Sequence, residues 1–131
     1  MSKLRLLAFF AFAVGVTCLY AADEKVTLEG TLVSSVCYLG NEHHPTGNDM
    51  GKPGDRCGTK CLEHGDPAGL LTNDQKFHVL VVSSLKLAPY VGEQVRVTGT
   101  DHDGAILIEK VELKKEGQWN EVDLGLAKSG S

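Results

Sequence analysis

Apolar and polar residues alternate from Val26 to Tyr38 (VTLEGTLVSSVCY), first at Val26 and Leu28, then at Thr31, Val33 and Val36. Period-2 alternation predicts a strand, and the change of phase after Gly30 predicts a bulge or tight bend there. The pattern stops at Leu39–Gly54 (LGNEHHPTGNDMGKPG), where four glycines, two prolines and two asparagines leave almost nothing to bury. That composition predicts a loop of about 16 residues, a length usually tied to function. Asp55 reads as an N-cap, RCGTKCLEH as two helical turns and Gly65 as the residue just past the helix end. Pro67–Thr72 and Lys76–Val82 read as strands around an Asn73-Asp74 turn. Ser83-Ser84 caps a short helix that Gly92 ends. Val95–Thr100 and Ala105–Leu113 read as a hairpin about the turn Asp101-His102-Asp103-Gly104. From Lys114 onward the chain is polar apart from Trp119, Val122, Leu124 and Leu126, and is expected to cover an edge or remain a tail.

The N-terminus follows a different rule. Lys3 and Arg5 precede an uncharged apolar run from Leu6 to Val16, and small Ala21 and Ala22 precede polar Asp23-Glu24-Lys25. This is the order of a secretory signal peptide, expected to span residues 1–21 with cleavage after Ala21 or Ala22. The run is shorter than the ~20 residues that span a bilayer, so no stable membrane span is expected after processing. Cys18 follows Gly15-Val16-Thr17, a poor lipoprotein box. The expected organisation is a signal peptide (1–21), a linker (22–25), one domain (26–115) and a polar tail (116–131). Within the domain, residues 39–65 form the Gly/His/Cys-rich loop and short helix. The expected location is extracytoplasmic, periplasmic or secreted.

Charge narrows the partners. The 131-residue chain carries a net charge of −4, and loss of Lys3 and Arg5 takes it to about −6. Phosphate backbones need a cationic footprint, so nucleic acid is an unexpected partner. A protein or a small ligand is the expected one. No nucleophile motif, phosphate loop or catalytic triad pattern is present, which points to a binding module rather than an enzyme.

Five strands with a helix between the third and fourth is the layout of an OB-fold, a five-stranded antiparallel barrel with one or two short helices. The stretch LAPYVGEQVRVTGTDHDGAILIEKVEL resembles the second half of small bacterial OB-fold domains. The region 26–114 also resembles a group of small secreted bacterial proteins of uncharacterised role. It carries Cys37-Tyr38 at a strand end, Cys57 and Cys61 four apart, and Gly65-Asp66-Pro67-Ala68-Gly69-Leu70-Leu71-Thr72. Relatives often carry His three residues before the first cysteine of the pair, where this chain has Gly54, so the resemblance assigns no histidine ligand.

Chemistry concentrates in the cysteines. Cys37, Cys57 and Cys61 survive signal removal, an odd count for an oxidising compartment. On a helix Cys57, Cys61 and His64 share one face, and a barrel brings the strand end bearing Cys37 towards them. Three thiolates plus one imidazole form a closed tetrahedral zinc set, with His43 or His44 as alternative ligands, and Met50 nearby would favour copper as Cu(I). Two other outcomes stay open. Cys37 bonded to Cys57 or Cys61 would staple the loop to the barrel and leave one thiol over. A redox-active pair is the third, although the spacing is not Cys-x-x-Cys. His78, in an apolar strand, and His102, in a turn, read as ordinary structural positions.

Overall fold

The computed structural model describes residues 23–40 and 57–126. The expected signal peptide, His43, His44, Met50 and the Asp55 cap lie outside these residues. The described chain is mainly β. Its strands are β1 (Glu24–Ser34), β2 (Ala68–Thr72), β3 (Phe77–Val81), β4 (Gln94–His102), β5 (Ala105–Lys115) and β6 (Gln118–Glu121). The helices are α1 (Ser35–Gly40), α2 (Cys57–Glu63) and α3 (Ser84–Leu87), the last continued by a 3-10 turn at Ala88–Tyr90. No helix among the described residues is long and apolar enough to cross a membrane.

The six strands make one sheet in the order β3-β2-β1-β4-β5-β6, with antiparallel neighbours. One further pairing is parallel: Val79, Leu80 and Val81 of β3 lie beside Ala105, Ile106 and Leu107 of β5. The pairings therefore run β1–β2–β3–β5–β4 and return to β1. The core lies inside this circuit, with Leu32, Leu62, Leu70, Leu80, Val95, Val97, Ile106 and Val111 at its centre. Leu62 brings α2 into the core, and the Ser84 hydroxyl donates to the Leu62 carbonyl at 3.1 Å, tying α3 to it.

Three elements differ from the pattern-based expectation. The first strand ends at Ser34 rather than Tyr38, and Cys37 lies on a helix. Ser34 supplies the reason: its Oγ accepts the Cys37 N–H at 3.3 Å, the geometry of an N-cap. The phase change after Gly30 is not a bulge either. The register of β1 runs through Gly30 unshifted, and the ladder shifts instead between Thr98 and Gly99 of β4. Beyond Gly30 both faces of β1 are buried. Leu32 faces the main core, while Val33 joins Leu71 in a second cluster covered by Cys37, Tyr38 and Phe77. Gly30 itself is a close approach, since a Cβ there would collide with the Leu71 carbonyl oxygen. Lastly, the polar C-terminal stretch supplies a sixth strand. It reads as polar because β6 is an exposed edge; Trp119 holds it, with the Arg96 guanidinium 4.2 Å above its ring.

The hairpin at Asp101–Gly104 forms as expected. Asp103 and Gly104 both take positive φ (53° and 90°), and the Gly104 N–H donates to Asp101 Oδ1 at 2.7 Å.

Candidate metal centre

α1 and α2 present the three cysteines to one another. α1 is fixed at its start by the Ser34 cap and on its flank by Tyr38, whose ring stacks on Phe77 of β3 at 4.9 Å and 12°. α2 is anchored by buried Leu62 and ended by Gly65, whose φ is +96°. Gly65 N–H bonds the Leu62 carbonyl at 3.1 Å and Asp66 N–H the Cys61 carbonyl at 3.0 Å. This paired closure is a Schellman motif, and Gly at its C′ position is what the sequence predicts. Both helices are thus rigidly placed from outside the cysteines.

Cys37 Sγ lies 3.6 Å from Cys57 Sγ and 3.5 Å from Cys61 Sγ. All three sulfurs fall within 4.8 Å of one another. None of them is in a disulfide, and both separations far exceed a sulfur–sulfur bond of about 2.05 Å. Cys37 and Cys61 are half-buried and Cys57 is exposed. With zinc–sulfur bonds of about 2.3 Å, the sulfurs of a tetrahedral thiolate site stand about 3.8 Å apart. The observed spacing is within a few tenths of an ångström of that edge.

Metal-free, Cys61 holds its proton. Burial pushes the Cys61 thiol up from 9.0 to about 12, and the Cys37 hydrogen bond and the nearby Cys37 and Cys57 charges add to the rise. A hydrogen bond from Ser34 works the other way and favours the thiolate. A divalent or soft monovalent cation reverses this balance, because a coordinated thiol loses its proton outright. Ser34 is fully buried. Its oxygen accepts from Cys37 N–H while its hydroxyl serves Cys61, so one residue orients two of the three sulfurs. Sequence reading passes over Ser34; the signal for it is Ser-x-x-Cys, the spacing of an N-cap and the third helical residue.

His64 stands apart from the sulfur cluster. It is exposed and follows the last residue of α2, and its Nδ1 donates to the Lys60 carbonyl at 2.7 Å. Its ring turns back onto the Lys60 carbonyl, so sharing a face does not bring it to the sulfurs. His78, half-buried in β3, and His102, whose Nδ1 lies 3.0 Å from Asp23 Oδ1, also stand outside the sulfur cluster.

The chain matches no protein-family model, no curated protein and no solved structure.

Proposed function

We propose that this protein is an exported binding module that holds one transition metal, zinc or copper, on the thiolates of Cys37, Cys57 and Cys61. The observation that carries the reading is the convergence of three sulfurs from two separate helices at 3.5–3.6 Å. Hydrophobic packing alone gives no reason for three thiols to meet at one edge of a core. A soft or borderline cation does, and each sulfur here sits at coordination spacing from a second one.

The frame supports a finer reading of the fold. The parallel β3–β5 pairing completes a five-strand circuit, and α3 lies between β3 and β4. Both are features of an OB-fold-like barrel, with β6 added outside it. Fold alone selects no ligand, since such barrels host unrelated functions; the sulfur cluster carries the assignment. His64 is the candidate for the fourth position, reached by a turn of its side chain. The disulfide-stapled reading instead needs one sulfur pair to close by about 1.5 Å.

The test is titration of the reduced, metal-stripped chain with Zn(II) and Cu(I) against a competing chelator. We expect one metal per chain, and at least about 100-fold weaker binding in each of Cys37→Ser, Cys57→Ser and Cys61→Ser. Absence of uptake, or unchanged affinity in those variants, would overturn the reading. His64→Ala separates a four-ligand site from a three-ligand one, since only the former loses affinity.

A further inference from the structure

We propose that two-electron oxidation of this site by a peroxide closes a disulfide that always contains Cys37, and that closure expels the metal. The inference rests on the metal reading for its release step, but its pairing rule follows from sulfur geometry alone.

Cys37 is the hub. It stands 3.6 Å from one partner sulfur and 3.5 Å from the other, and it approaches both from a different helix. Two sulfurs facing each other across an interface reach bonding distance by a small movement of side chains. Cys57 and Cys61 lack that option. They lie one turn apart on α2, with Cα atoms about 6 Å apart and Cα–Cβ bonds running nearly parallel. Their Cβ atoms then stand about 5–6 Å apart, beyond the ~3.5–4.5 Å of a disulfide, and parallel bonds do not aim the sulfurs at each other. Two bridges are therefore accessible, Cys37–Cys57 and Cys37–Cys61, and both spend the same sulfur.

Exposure selects the point of entry. Cys57 is the exposed member of the set. Its thiolate attacks one oxygen of the peroxide, the O–O bond breaks, and the other oxygen leaves as water after taking a proton. Cys57 is then a sulfenic acid. The Cys37 thiolate attacks that sulfur, the S–O bond breaks, and the hydroxyl leaves as a second water. Two thiols and one hydrogen peroxide have become one disulfide and two waters; sulfur has lost two electrons and peroxide oxygen has gained them. A cation held by three thiolates has then lost two, and one remaining thiolate does not retain it. The Cys61 thiolate, beside Cys37, can next attack the Cys37 sulfur and displace Cys57, which converts one bridge into the other.

The experiment treats the metal-loaded chain with stoichiometric hydrogen peroxide. Released metal is followed with a chromophoric chelator, and disulfides are mapped by peptide mass spectrometry. We expect metal release in step with a loss of about 2 Da per chain, and Cys37 in every bridge among the three cysteines. Cys61→Ser should still form Cys37–Cys57. Cys57→Ser should form Cys37–Cys61, at least about tenfold more slowly. Cys37→Ser should form no bridge within the set. A Cys57–Cys61 bridge, or metal retained after a bridge has closed, would overturn the inference. Repeating the mapping on metal-free chain separates the two claims. A chain that binds no metal defeats the release step together with the metal reading. A chain that binds metal but closes no Cys37 bridge defeats this inference alone.

Discussion

Ser34 is the residue on which most of the local geometry turns. It ends β1, caps α1 and hydrogen-bonds Cys61, all from a fully buried position. Removing its hydroxyl should affect metal affinity more than folding. We expect Ser34→Ala to weaken metal binding by about 10–100-fold while costing about 1 kcal/mol in stability from the lost cap. Competition titration and urea denaturation measure the two effects separately. Unchanged affinity would mean that the hydroxyl serves only the cap. Cys61 makes a prediction about pH. Its thiol pKa is raised in the folded, metal-free state, from 9.0 to about 12. The unfolded chain therefore loses this proton first as pH rises. The contribution to stability is complete below about pH 9 and is lost as pH climbs towards about 12. Denaturation midpoints of the reduced, metal-free chain should fall over this window, and Cys61→Ser should flatten the fall.

At the scale of elements, α1 is six residues long, too short to be stable by itself. The Tyr38–Phe77 stack and the second cluster around Val33 and Leu71 hold it against the sheet. We expect Tyr38→Ala to cost about 3–5 kcal/mol, as for truncation of a large buried ring, or less in proportion to its partial exposure. It should also weaken metal binding, because Cys37 rides on the same helix. Thermal melts with and without metal check this; full metal affinity in a destabilised Tyr38→Ala would separate α1 packing from the site. How far the sequence revealed these elements depended on whether one signal dominated. β4 and β5 were legible because alternation and the Asp103-Gly104 turn agreed, β2 and β3 as short apolar runs about Asn73-Asp74, and α2 because Gly65 closes it. α1 was not, because Val36 and Tyr38 extend the apolar run of β1, and only the paired serines mark the break. β6 was not, because an edge strand exposed to solvent has no apolar face to announce it. The cysteine cluster was legible as a set from residue type and spacing. The placement of the His64 ring was not, because helical spacing sets the face a residue occupies but not that its side chain turns back to the Lys60 carbonyl.

For the whole molecule, the sulfur cluster lies where two short helices meet beside a sheet that supplies most of the buried apolar residues. Metal should therefore tighten the helical side of the molecule onto the sheet, and loading at a hundredfold excess over Kd should stabilise the chain by about 2.7 kcal/mol. In a domain of this size that is a rise in Tm of roughly 10–20 °C. A chelator should reverse it. The most direct test of the central claim is elemental analysis combined with intact mass on the native protein, purified without chelator or added metal. The account predicts about one zinc or copper per chain with Cys37, Cys57 and Cys61 reduced. A metal-free protein with two of these cysteines already joined in a disulfide would contradict it.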